Sequence, residues 1–313
     1  LRRIIKLFKY FAALYVSRGN YYLVHDPLTL VLTYFIKIIR NNISIIYMGD
    51  ELEIGRKYSL FKRLYVNFLM KSTPYFCSHI FQADYYRKEA FQNFLKYNKV
   101  KVLRNVPNKI FSFSNIDIRK KYNIDKNNKI FIYTGLISEN RGLLTTIKGL
   151  SILSNNISIT LILIGWGPKN DLKNIKEYSI LKESKYRHFK VLFINQMPID
   201  DLFNWIRQAD VGIGIIANYN QSYYLCTPSK VYEYMMAGIP FLASNFPENR
   251  LLVKQTNSGI LVDPSSPKDI CLKAYNLLSD VGKQNRMGRL GRIAALDKYN
   301  WEYESKILKK IIH

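Results

Sequence analysis

Lys230 and Glu233 stand three residues apart in TPSKVYEYMMAGIP, residues 227–240, a segment otherwise dominated by apolar and aromatic side chains. Thr227 suits a helix N-cap, Pro228 the first helical position and Gly238 the residue past the end, which frames a helix of about ten residues. The start of such a helix carries unpaired N–H groups and the positive end of the helix dipole, a combination that binds phosphate. Lys230 adds a full positive charge there. Glu233, one turn deeper on the same face, can accept two hydrogen bonds from a vicinal diol such as a ribose. One helix could thereby hold both ends of a nucleoside diphosphate. The same two residues could equally form a surface ion pair worth about 0.3 kcal/mol, and their spacing leaves both readings open.

Other residues with chemical potential are few. His25 ends the apolar run YYLVH and precedes Asp26 and Pro27. Alone it reads as a structural histidine at a strand's carboxyl end, with Asp26 placed to orient it. Glu51 and Glu248 read as acids of first helical turns, which need no functional explanation. GWGPKN offers G-x-G after a strand but lacks the third glycine of a dinucleotide turn. No D-x-D or H-E-x-x-H motif occurs, and Cys77, Cys226 and Cys271 are far apart. Neither a metal site nor a disulfide framework is therefore expected, no resident cofactor is implied, and a reducing cytoplasm fits the cysteine usage.

The elements that must position these residues are legible from periodicity. Apolar runs of about five residues alternate with helical-period segments, the pattern of a parallel α/β fold. Strands are expected at 21–25, 43–48, 79–83 and 100–104, then at 129–135, 159–165, 190–195, 211–216, 240–244 and 259–263. Helices fall near 27–41, 57–73 and 85–97, and between the later strands. NVPNKIFSFSN, residues 105–115, interrupts the pattern and marks the domain boundary. The expectation is two doubly wound Rossmann-like domains facing a cleft, since ligands in such sheets bind beyond the carboxyl ends of the strands. Residues 1–107 form the first, 108–290 the second, and 291–313 a C-terminal helix packing back toward the first. The chain opens at Leu1 in what reads as mid-helix, so it is taken as a fragment.

The net charge of +24 calls for an acidic partner. Residues 1–108 hold 18 Lys/Arg against 6 Asp/Glu, half of the excess. There the charges alternate with apolar residues, as in LRRIIKLFKYFAAL and YSLFKRLYVNFLMKSTPYF, stretches suited either to an anionic membrane surface or to core-facing helices with a solvated basic face. No nucleic-acid motif accompanies the charge, so nucleic acid is not expected as a partner. No apolar run approaches the roughly 18 residues of a membrane-spanning helix.

PSKVYEYMMAGIPFLAS followed by NSGILVDPSSPKDI resembles the C-terminal domain of the GT-B glycosyltransferases, family 4-like. YTGLISENRGL (133–143) looks like that family's phosphate loop, LIGWGP (163–168) its next glycine turn and YNWEYES (299–305) its C-terminal helix. VHDPLTLVL (24–32) and YMGDELE (47–53) resemble first-domain segments. The resemblance implies a retaining, metal-independent transfer of a sugar from a nucleoside-diphosphate donor. The acceptor would be lipid-linked or an oligosaccharide, in bacterial capsule, O-antigen or exopolysaccharide synthesis, at the cytoplasmic face of the membrane. It assigns donor binding to Gly135, Arg141, Gly165, Ile194, Asn195, Ser229, Lys230, Val231 and Glu233, with Glu233 on the ribose. His25, Asp26 and Glu51 fall on the sugar and acceptor side, and His25, Arg141, Lys230 and Glu233 become the catalytic set. Three positions depart from the family pattern. Leu225 stands where a first glutamate is usual, Leu136 where a second basic residue is usual, and Asp50 where a histidine is usual. The resemblance also places two or three strand-helix units, with a glycine-rich acceptor loop, ahead of Leu1. Leu225 motivates an alternative, a catalytically degenerate nucleotide-sugar-binding or partner subunit.

Overall fold

The computed structural model describes residue 16 and residues 19–111 and 116–312. The segment LRRIIKLFKYFAAL lies outside them. The chain divides into two compact units, Leu1–Asn105 with Asn220–Cys226 and Ser305–His313, and Val106–Tyr219 with Thr227–Glu304.

In the first unit, strands β1 (Tyr21–Val24), β2 (Ser44–Gly49), β3 (Cys77–Gln82) and β4 (Val100–Val102) lie side by side in chain order, all parallel. Helices α1 (Pro27–Ile39), α2 (Leu60–Phe76) and α3 (Tyr85–Leu95) make the crossovers. Asp26 caps α1, its carboxylate accepting from the amides of Leu28 and Thr29 at 2.9 and 3.0 Å, while Pro27 takes a position where its missing N–H costs nothing. Helix α2 buries Val66, Leu69, Met70 and Thr73, a one-face spacing, against this core. Pro74 lies in its last turns and cannot donate to the Met70 carbonyl; the Thr73 hydroxyl donates to it instead, at 2.7 Å. Leu30, Ile36, Ile45, Tyr47, Met70 and Phe91 fill the centre.

The second unit carries six parallel strands: β5 (Lys129–Thr134), β6 (Ile159–Ile164), β7 (Phe189–Ile194), β8 (Val211–Gly214), β9 (Phe241–Ser244) and β10 (Gly259–Val262). Their spatial order is β10-β9-β8-β5-β6-β7. The chain builds outward from β5 to β7, then returns to the other side of β5 and builds outward again, so the order reverses between β5 and β8. Two apolar clusters cover the sheet. One includes Ile130, Ile132, Phe241 and Met235, the other Phe131, Leu161, Ile213 and Leu242; neighbouring residues of one strand enter different clusters because side chains alternate across a sheet.

All ten expected strands form, each within two residues of its expected bounds. The C-terminal stretch differs from a single helix over 291–313. Residue 291 lies inside a helix running Val281–Asp297, and a second runs Trp301–Ile312. Asn300 separates them, its side-chain amide donating to the Ala295 carbonyl at 2.8 Å while its oxygen accepts from the Tyr303 amide at 2.9 Å. Such a cap ends one helix and starts the next. Among the described residues no helix is long and apolar enough to cross a membrane.

Candidate functional site

In the second unit the candidate residues converge on the reversal of strand order. Thr134 is the last residue of β5, and Gly135 opens the loop that follows. The helix framed by Thr227 and Gly238 runs Ser229–Ala237, with Pro228 as its cap residue and Gly238 ending it at φ 81°. The expected start moves by one residue because Pro228 keeps an extended ψ of 134°, which leaves Thr227 outside the helix. Val231, Tyr232, Tyr234, Met235 and Met236 bury one side of this helix. Ser229, its first residue, is exposed.

Glu233 projects from this helix and accepts a hydrogen bond from the Thr134 hydroxyl at 3.1 Å. Burial raises its pKa above the ordinary carboxylate value, opposed by the charge of Lys230 and by the Thr134 bond. Lys230 is only 7% exposed, and its ammonium lies 4.7 Å from the centre of the Tyr133 ring, a cation–π contact that partly replaces lost water. The pair is therefore not a solvated surface feature: both residues are drawn inward, toward the end of β5.

Two backbone approaches shape the floor. Gly135 and Gly165 have φ of 111° and 150°, and a Cβ on Gly165 would lie 1.9 Å from the Gly135 carbonyl oxygen. A Cβ on Gly135 would lie 3.8 Å from the Lys230 ammonium. The glycines thus let the turns after β5 and β6 touch, with Lys230 beside them. The Gly135 amide donates to the Ile164 carbonyl at 2.9 Å, and the Gly165 amide to the Ile194 carbonyl at 3.0 Å, so the ends of β5, β6 and β7 are tied in sequence. Arg141 closes a short 3-10 turn, Glu139–Arg141, before Gly142 at φ 68°. The Ala217 amide, beyond β8, donates to the Asn140 carbonyl at 3.3 Å, which joins the two loops on either side of the reversal. A crevice of this kind, at the carboxyl ends of strands flanking a change of direction, is where open α/β sheets bind ligands.

In the first unit, His25 follows β1 and its Nδ1 lies 3.0 Å from Asp50 Oδ2. Both side chains are about half exposed. The hydrogen bond to Asp50 is the largest influence on His25 and raises its pKa; burial acts against it, and the charges of Asp50 and Asp26 act with it. The orienting partner is therefore Asp50, whereas Asp26 is engaged in capping α1. Glu51 lies 3.5 Å from the Arg56 guanidinium. Beneath Asp50, Arg87 Nη1 donates to the Asp50 carbonyl at 2.5 Å and pairs with Asp84 at 3.1 Å. Its Nε and Nη2 donate to the Ser222 carbonyl at 3.1 and 2.8 Å. Arg87 and Asp84 are about 5% exposed.

Ile194 is partly buried at the end of β7 and Asn195 is exposed. Val231 points into the core, and its amide donates to the Pro228 carbonyl at 2.9 Å. Leu225 packs against the apolar core of the first unit. Thr134 and Arg87 belong to these arrangements without matching any motif. Thr134, a hydroxyl ending an otherwise apolar strand before a glycine, carried a readable signal; Arg87, in a polar helix, carried none. Among the described residues no group of three or more His, Cys, Asp or Glu could hold a metal ion.

Residues 114–293 match the family described as glycosyl transferases group 1. Over 180 residues the chain is 26% identical to Spore coat protein SA of Bacillus subtilis, covering 56% of this chain and 46% of that protein; it spans about half the length of this curated relative. Among solved structures, HepE of Anabaena in complex with UDP superposes with a TM-score of 0.78 at 15% identity, over 97% of this chain and 81% of that one. Sucrose-phosphate synthase of Thermosynechococcus elongatus gives 0.76 at 16%, over 99% and 77%. At such identities the likeness concerns the fold, the α/β architecture of GT-B enzymes with Rossmann-like parallel sheets.

Proposed function

The chain belongs to the glycosyl transferases group 1 family, and on that premise we propose that it transfers a sugar from a nucleoside-diphosphate donor held by its second unit. The observation that carries this reading is the Thr134–Glu233–Lys230 arrangement at the reversal of strand order. Glu233, kept in place by Thr134, takes the ribose diol. Lys230, the exposed start of the Ser229–Ala237 helix and Arg141 take the diphosphate. As the bond from anomeric carbon to phosphate breaks, negative charge grows on the leaving group, and these fixed positive groups stabilise it. The leaving phosphate can accept the acceptor's proton, so the retaining reaction requires neither a separate strong base nor a metal. His25, held by Asp50, serves the sugar and acceptor side. The acceptor is lipid-linked or a saccharide, and the product a bacterial surface polysaccharide made at the inner face of the membrane. HepE was solved with UDP and with UDP-glucose, which makes a uridine donor the first to try.

Thermal-shift titration with UDP, GDP and dTDP tests donor binding, because a ligand that binds the folded state raises its melting temperature. A selective shift is expected, with affinity about 10- to 100-fold weaker in Glu233→Gln, a loss of about 1.4–2.8 kcal/mol. Affinity should also fall on acidification as Glu233 protonates, at a higher pH than an ordinary carboxylate would give, because its pKa is raised. Glu233→Gln should abolish that dependence. Wild-type affinity in Glu233→Gln and Arg141→Ala would remove the site assignment.

Leu225, packed against the apolar core of the first unit, supports a second reading, a nucleotide-sugar-binding subunit without transfer. Selective binding with no turnover across a panel of UDP, GDP and dTDP sugars, offered with lipid-linked acceptors, would favour it.

A further inference from the structure

A helix packed on a sheet normally pairs one apolar face with a polar one. Helix α2 does not. Its buried face holds Val66, Leu69, Met70 and Thr73. At about 100° per residue, Phe61, Leu64, Tyr65, Phe68 and Tyr75 form a second face centred about 140° away around the helix, with Ser72 among them. These five are 86%, 58%, 50%, 77% and 85% exposed. At the C-terminal end of α2, Phe76 stacks on Tyr34 of α1 with ring centroids 4.4 Å apart, and from the adjoining turns of α1 Phe35, Ile38 and Ile39 are exposed as well. Exposed apolar residues gathered on one face mark an interaction surface.

The charges carried by these two helices indicate its occupant. Helices α1 and α2 contain Lys37, Lys62, Arg63 and Lys71 and no Asp or Glu. Lys62 lies 4.5 Å over the Tyr58 ring and Lys71 5.6 Å over the Phe94 ring; by helix position Lys71 borders the apolar stripe, whereas Lys62 and Arg63 lie in the first turn of α2, where long side chains can reach past the helix end. A second copy of this chain would set the same cations against each other across a symmetric contact, on a protein of net charge +24. An anionic lipid surface has the opposite charge and an apolar interior a few ångströms below it, and so satisfies both parts of the face at once.

We infer that α2 is a lipid-docking helix: Phe61, Leu64, Tyr65, Phe68 and Tyr75 enter the headgroup boundary of an anionic membrane, with Lys62, Arg63 and Lys71 contacting the lipid phosphates. This deepens the membrane part of the proposed function by naming the element responsible, and it stands apart from the donor site.

Co-sedimentation of the full chain with phosphatidylcholine vesicles, with and without phosphatidylglycerol, provides the test. The expected result is binding that requires phosphatidylglycerol and weakens with salt. Phe61→Ser/Leu64→Ser/Phe68→Ser should lower it at least tenfold, and Lys62→Gln/Arg63→Gln/Lys71→Gln should remove the preference for phosphatidylglycerol. UDP-induced thermal shifts, measured on the same preparations, should stay at the wild-type level in both variants; a wild-type chain that binds vesicles but no nucleotide would count against the donor reading alone. Wild-type vesicle binding by the serine variant would overturn the inference. So would the absence of binding to phosphatidylglycerol, or a wild-type dimer that the serine variant converts to monomer.

Discussion

Glu233 in the second unit and His25 in the first both have raised pKa values, for opposite reasons. Burial pushes Glu233 up, which disfavours its charged form. A hydrogen-bonded carboxylate pushes His25 up, which favours its charged form. Each shift makes a contribution to stability that is fully present below the unfolded value, 4.5 for Glu233 and 6.5 for His25, and lost as pH rises through the folded one. At neutral pH the consequences diverge. In the second unit burial disfavours the charged form of Glu233, a cost that a diol's hydroxyls would reduce. The first carries a half-exposed pair that already meets its own needs. The Glu233 arrangement would gain from a diol, whereas the His25–Asp50 one is already paired.

That contrast can be broken most forcefully from below. Arg87→Met would leave Asp84 buried without its ion pair and the Asp50 carbonyl without its donor. A loss of about 3–5 kcal/mol, read by denaturant titration, is expected, together with a changed His25 titration because Asp50 is no longer anchored. An intact His25 titration would show that Asp50 needs no such support. Gly165→Ala is next. Its Cβ would fall 1.9 Å from a backbone oxygen, so the turn must shift, at about 1–3 kcal/mol; UDP binding should weaken while the His25 titration stays unchanged. The smallest effect belongs to Asp50→Asn. With the carboxylate gone, the His25 pKa followed by NMR should fall, and stability should change by less than about 1 kcal/mol because the pair is half exposed. An unchanged pKa would mean that Asp50 does not control this histidine.

The parallel strands were legible because continuous runs such as ITLILI have few alternatives to a strand covered on both faces. The Lys230–Glu233 helix was legible because its stop residue, Gly238, needs a left-handed backbone. What spacing could not supply was direction. It could not tell a surface ion pair from two groups drawn inward toward Thr134, since that depends on β5 lying beside β8, a pairing about 80 positions apart in the chain. Asp26 misled for a local reason: a residue adjacent to a histidine, and preceding a proline that opens a helix, serves the helix amides first. Asp50 came to His25 through the pairing of β1 with β2, which places the residues after both strands together.

The seven residues Asn220–Cys226 are part of the first unit although the chain on either side belongs to the second. Within it Ser222 is fully buried, accepting from Arg87 through its carbonyl and from the Leu52 amide through its hydroxyl. Shuffling between related genes is therefore constrained: a chimera that exchanged only the leading 105 residues would inherit a lobe whose internal plug still came from the other parent. A workable exchange has to carry this short insert and Ser305–His313 along, so the two lobes cannot diversify as independent cassettes.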